Sequence, residues 1–155
     1  MPKEGRHIAR EFALKALYAY EISQNPLELI LDDIVRNSLQ DSNTRQFAIE
    51  LVKNTVEQVN QLDRRIKAKA LNWDFGRIAI LDKLILRMGI CELMFFEDIP
   101  PKVTINEAIE IAKMYSTEKS GSFVNGILDS VLGDLKKCGE LRKTGRGLIE
   151  VRSEE

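Results

Sequence analysis

The sequence predicts an all-α fold, a compact helical bundle built around a central buried helix. Three observations predict it. Apolar residues recur at helical spacing along most of the chain. No run shows the apolar–polar alternation of a half-buried strand. Glycine (9) and proline (4) are scarce among the 155 residues, which disfavours a turn-rich β fold. A chain of this length buries roughly 70% of its unfolded surface and needs no staple to fold. One domain is expected, or two small subdomains sharing a core.

The elements follow in order. Ala9, Ala13, Ala16, Leu17 and Tyr20 form one buried stripe, so a first helix is expected from about Arg6 to Gln24, stopped by Asn25-Pro26. A second begins near Pro26 and buries Leu27, Ile30, Leu31, Ile34 and Val35. The polar run 40–43 separates it from a long third helix striped by Phe47, Leu51, Val52, Val56, Val59, Leu62 and Ile66. Asn43 with Gln46 resembles a cap at its start. The pattern breaks at Asn72-Trp73-Asp74-Phe75-Gly76, which predicts a loop. The fourth helix, about Arg77 to Phe96, is apolar on most of its circumference and is therefore packed on several sides. Pro100-Pro101 ends that region. Thr104-Ile105-Asn106-Glu107 reads as a capping box opening a fifth helix through Tyr115. A sixth carries Phe123, Val124, Ile127, Leu128, Val131 and Leu132. From Lys136 onward charges mix with three glycines and no stripe persists, so 136–155 is expected to be a mobile or loosely attached tail.

Composition narrows the function. Hydrophobic residues are 44% and charged residues 30%, as in soluble globular proteins. No window is long and uncharged enough to span a bilayer, and the N-terminus lacks the apolar core of a signal peptide. Cys91 and Cys138 form no CxxC pair, so neither a zinc site nor a disulfide framework is expected, and a cytoplasmic location is. The single histidine, His7, speaks against histidine metal sites and a Ser-His-Asp triad. No phosphate loop, G-x-S-x-G, H-E-x-x-H or dinucleotide fingerprint is present. The acids Asp32-Asp33 and Glu107 with Glu110 read as solvated helix faces. No catalytic residue, metal or cofactor is expected.

With 23 basic and 24 acidic residues the net charge is −1, so any nucleic-acid contact must be local. Lys3, Arg6, His7 and Arg10 share one helical face and suit a phosphate backbone, with a solvated first turn as the plainer reading. Asp63, Arg64, Arg65, Lys67 and Lys69 form a second basic run, read as solvated surface. Asn125-Gly126, normally a hairpin turn, lies inside a helical pattern, which marks function or close packing. Lys119 could meet a phosphate there and Phe123 a base; a core role for Phe123 fits equally well.

Several segments, taken in order, resemble the NusB family of bacterial transcription antitermination factors. They are Arg6-His7-Ile8-Ala9-Arg10-Glu11 through Tyr18; Asn72-Trp73, then Arg77, Asp82 and Ile85-Leu86-Arg87 through Glu92-Leu93; Asp98-Ile99-Pro100 with Ile105-Asn106-Glu107-Ala108-Ile109-Glu110; and Tyr115, Glu118, Ser120 and Phe123-Val124-Asn125-Gly126. The likeness covers about residues 4–135, which places a NusB-like RNA-binding domain at 1–135 and the charged tail at 136–155. It implies two packed helical subdomains and no enzymatic activity. It implies binding to the boxA element of ribosomal RNA leaders together with NusE, a ribosomal protein, and entry with other Nus factors into the RNA polymerase elongation complex. RNA is then expected along the N-terminal arm and the segment before the last helix, at Lys3, Arg6, His7, Arg10, Lys119 and Phe123. The NusE face maps to Tyr18, Ile22, Asp82 and Arg87. Some members self-associate through the surface RNA needs, so a homodimer is an allowed resting state. The arm here departs from the family's frequent arginine run, since Arg6-His7-Ile8 carries one arginine, and that shifts weight onto the partner. Two other readings are a protein-only interaction module and a domain related to those fused to ribosomal RNA methyltransferases. No methyltransferase motif follows the domain.

Overall fold

The computed structural model describes residues 3–72 and 74–149, and the backbone alone of Lys3. Trp73 and 150–155 lie outside the described residues. Described residues form helices and no strands. The chain divides into two compact units, Met1–Glu57 and Gln58–Glu155.

In the first unit, α1 (Lys3–Ser23) packs its alanine stripe on α3 (Ser42–Glu57). Ala9, Ala13 and Ala16 are fully buried. Small side chains on a helix face let a neighbouring backbone approach closely. Helix α1 stops at Gln24, whose φ of 58° lies in the left-handed region, and Pro26 follows. The second helix starts as expected, as α2 (Leu27–Ile30), but continues as a π-helical stretch, Leu31–Arg36. The widened turn donates Asn37 N–H to the Asp32 carbonyl at 3.0 Å, five residues back. Leu31 and Val35 remain fully buried through it.

The long third helix of the sequence reading is two helices. Gln58 leaves helical geometry (φ −98°, ψ 14°) between α3 and α4 (Val59–Lys69). Apolar residues continue across the break, so periodicity could not reveal it. The start of α3 is capped by Asp41 rather than Asn43. Asp41 Oδ2 accepts from Thr44 N–H and Thr44 Oγ1, both at 2.9 Å, and these bonds hold its carboxyl below the usual range.

The second unit is built on α5 (Ile80–Phe95), which contacts α4, α6 (Pro101–Tyr115) and α7 (Glu118–Lys137). Every residue from Leu84 to Leu93 is buried, as its all-round apolarity predicts. Gly89 makes room for Leu128 of α7, whose methyl carbons would lie 3.0 Å from a Cβ there. The expected capping box at Thr104 is not one. Helix α6 begins at Pro101, whose fixed φ and missing N–H suit a first helical position. Thr104 is buried instead, donating to Glu92 Oε1 at 3.0 Å. This bond gives a buried carboxylate a partner inside the core. Asp74 caps a short 3-10 turn, Phe75–Arg77, by accepting from Gly76 N–H at 3.0 Å.

Past α7, residues 138–149 make contacts that their composition does not announce. Lys143 is 7% exposed and its ammonium donates to the Glu92 and Phe96 carbonyls at 3.0 and 2.8 Å. Each of these carbonyls at the α5 C-terminus also accepts a backbone N–H, from Phe96 and Ile99 respectively, and a cation there suits the helix dipole. Thr144 N–H donates to the Glu97 carbonyl at 2.9 Å, and Gly147 sits against the same oxygen. Cys91 is fully buried in α5, whereas Cys138 is exposed just past α7.

Candidate nucleic-acid and partner-protein interfaces

In the first unit the basic face of α1 is divided. The Lys3 side chain lies outside the described residues. His7 is partly exposed, with Nε2 3.9 Å from Glu11 Oε1. Arg6 and Arg10 both turn onto the Phe47 ring of α3, their guanidinium carbons 4.9 and 5.3 Å from its centroid. Arg6 keeps partial exposure, but Arg10 is 3% exposed. Arg6, His7 and Arg10 do not form one cationic face turned to solvent, because helical spacing brings Arg10 over an aromatic ring that local sequence could not point to. A guanidinium on a ring face gains cation–π attraction, which offsets part of the cost of its burial.

Tyr18 and Ile22 are 41% and 62% exposed. They lie four residues apart on α1 and so share a face. That pair is an exposed apolar patch on this unit.

In the second unit, Thr117 caps α7 by accepting from Ser120 N–H at 3.1 Å. The cap leaves Lys119 exposed in the first turn and Phe123 half-buried one turn on. Ser120 is buried, within hydrogen-bond reach of the Ser116 and Thr117 hydroxyls, and donates Oγ to Asp82 Oδ2 at 2.9 Å. Asp82 itself is 8% exposed, and its buried Oδ1 has no hydrogen-bond partner among the described residues. A buried carboxylate oxygen without a donor is costly.

Arg87 is also buried. Its Nε and one terminal nitrogen bind the two Asp63 carboxylate oxygens at 2.7 and 2.9 Å. This bidentate pair ties α4 to α5. It satisfies the guanidinium inside the second unit, so Arg87 is not presented as a free surface charge.

The basic run on α4, expected as solvated surface, is largely structural. Besides Asp63–Arg87, Arg65 pairs with Glu140, and Lys69 Nζ lies 2.7 Å from Asp134 of α7. The signal for this was present: acids recur at Asp134 and Glu140 in the C-terminal region, but no local spacing says which cations they meet. Asn125 and Gly126 are exposed on α7, and a Cβ at Gly126 would meet nothing within 4 Å. Close packing among the described residues therefore does not explain that glycine.

Among the described residues no helix is long and apolar enough to cross a membrane. Residues 7–133 match the NusB family. The transcription antitermination protein NusB of Salinibacter ruber is 48% identical over 145 residues, covering 93% of this chain and 91% of that one. Among solved structures, NusB of T. maritima is 37% identical, with a TM-score of 0.78, covering 86% of this chain and 92% of that one. A crystal structure of antitermination factors NusB and NusE with dsRNA contains a chain of the same fold, with a TM-score of 0.78 and 23% identity, covering 86% of this chain and 99% of that one.

Proposed function

Since the chain belongs to the NusB family, we propose that it is a transcription antitermination factor. It binds the boxA element of ribosomal RNA leaders together with NusE. The pair joins elongating RNA polymerase with other Nus factors and promotes processive transcription in the cytoplasm. The observation that carries this reading is the family match, which runs through both units of the chain. No covalent step is part of it; the chain works by binding.

The roles we assign are those that exposure and contacts support. On α1, Arg6 and His7 meet RNA phosphates, with Lys3 preceding them. Arg10 supports Arg6 by sharing its ring rather than by reaching RNA first. On α7, Lys119 supplies a further phosphate contact and the exposed part of Phe123 meets a base. Tyr18 and Ile22 anchor NusE through apolar contact. In the second unit Asp82 acts on NusE binding through Ser120, by holding α7 to α5, and Arg87 acts through Asp63, by fixing α4 against α5. Residues 1–135 carry the RNA-binding domain, and 136–155 form an appendage to it.

Net charge of −1 means few phosphates are neutralised by this chain alone, so its own RNA affinity is weak and a basic partner raises it. Fluorescence anisotropy with boxA and scrambled RNA, with and without NusE, tests the proposal. Tight binding confined to boxA and NusE together is expected. Indifference to RNA sequence in the presence of NusE would sink it.

A further inference from the structure

Apart from the exposed Arg64, the cations of α4 and α5 sort into two kinds. Arg65, Lys69 and Arg87 each face a carboxylate. Lys67 and Lys83 do not: among the described residues neither has a carboxylate within ion-pair distance, and both ammoniums instead sit on the ring of Phe75, at 4.8 and 4.3 Å from its centroid. Arg77 follows Phe75 by two residues in the same 3-10 turn, and its side chain is 89% exposed. The acid beside them, Asp74, is committed to Gly76 N–H and stands 3.9 Å from Arg77. Two like charges gathered at one ring repel each other, and the ring's quadrupole offsets this only in part. An anion at that place relieves the repulsion.

We propose that Lys67 and Lys83, gathered on the Phe75 ring, form with the exposed Arg77 of the adjoining turn a phosphate-binding patch for the backbone of single-stranded RNA. The inference rests on the RNA-binding reading above and extends it to a surface that reading does not include. Position favours RNA over other polyanions. The Ser120–Asp82 hydrogen bond holds the first turn of α7, which carries Lys119, against the first turn of α5, which carries Lys83. A strand contacting Lys119 therefore has a second set of cations within the same unit. Because lysines already occupy the Phe75 ring, the patch reads phosphate and not base, so it acts without regard to sequence.

The test uses the full chain with NusE and a labelled RNA carrying boxA with flanking nucleotides, beside a scrambled RNA of equal length. Lys67→Gln with Lys83→Gln should leave helical content unchanged by circular dichroism. It should lower the salt-dependence slope on both RNAs by about 1.4, two contacts at about 0.7 each. Lys102→Gln, a charge removed from an exposed position on α6, should change neither slope. A double variant with the wild-type slope overturns the proposal. So does an unchanged slope accompanied by weaker NusE binding, which would give the patch to an acidic protein surface. Wild-type protein whose RNA binding ignores salt would overturn the parent reading, and this one with it.

Discussion

The resemblance to the NusB family implies a NusE contact at Tyr18 and Ile22, and the structure exposes both. Tyr18→Asp should abolish NusE binding in calorimetry while leaving the melting transition in place. A charge at an interface core costs several kcal/mol, whereas an exposed position tolerates it. Normal NusE affinity for a folded variant would remove Tyr18 from that face. Arg6 and Arg10 looked equivalent in sequence and are not. Arg6→Ala should lower the RNA salt slope by about 0.7. Arg10→Ala should leave that slope in place and cost about 1–2 kcal/mol in urea unfolding, through the loss of a desolvated ring contact. The reverse assignment of the two effects would show that Arg10 leaves Phe47 to reach RNA. The distinction was illegible because periodicity gives a side chain's face and not its destination. The same holds for Arg87, whose partner Asp63 lies on another helix.

Helix existence and the central place of α5 were legible from periodicity and composition. Helix ends were less so, since a cap is a local competition among several polar residues. Asp41 outcompeted Asn43, and Thr104 was drawn into the core by Glu92. Least legible was the segment after α7, where three contacts replace an apolar stripe. Gly147→Ala should release it, because the new Cβ would fall 2.0 Å from the Glu97 carbonyl oxygen. Hydrogen exchange at the Thr144 amide should then speed up, and unchanged protection would refute the anchoring role of that contact. Lys143 gives the segment a pH signature. Burial lowers its pKa from 10.5 to about 8, against opposing pulls from Glu92, Asp98 and Glu97. Between those values the unfolded chain keeps a proton that the folded one has lost, so stability rises with pH across the window. At about 1.4 kcal/mol per unit the rise is on the order of 3 kcal/mol. Subtracting the Lys143→Met profile from that of the wild type should isolate it, and a flat difference from pH 8 to 10.5 would contradict the burial.

On the scale of the whole molecule, charge balance decides how it can work. A chain with 23 basic and 24 acidic residues attracts RNA only where its cations are unmatched. The isolated protein should therefore lose detectable RNA binding at physiological salt, and adding NusE should restore it with a steeper log–log dependence on salt. Equal slopes with and without NusE would mean the partner adds no phosphate contacts. The two thiols differ as sharply in access as the cations do in pairing. Cys91 is sealed in the core and Cys138 stands open, two positions before Glu140, which holds Arg65. Maleimide chemistry thus has a single address on the folded chain. A dye placed there sits at the root of the anchored segment and would report its release as a change in fluorescence, with no cysteine engineered in or out.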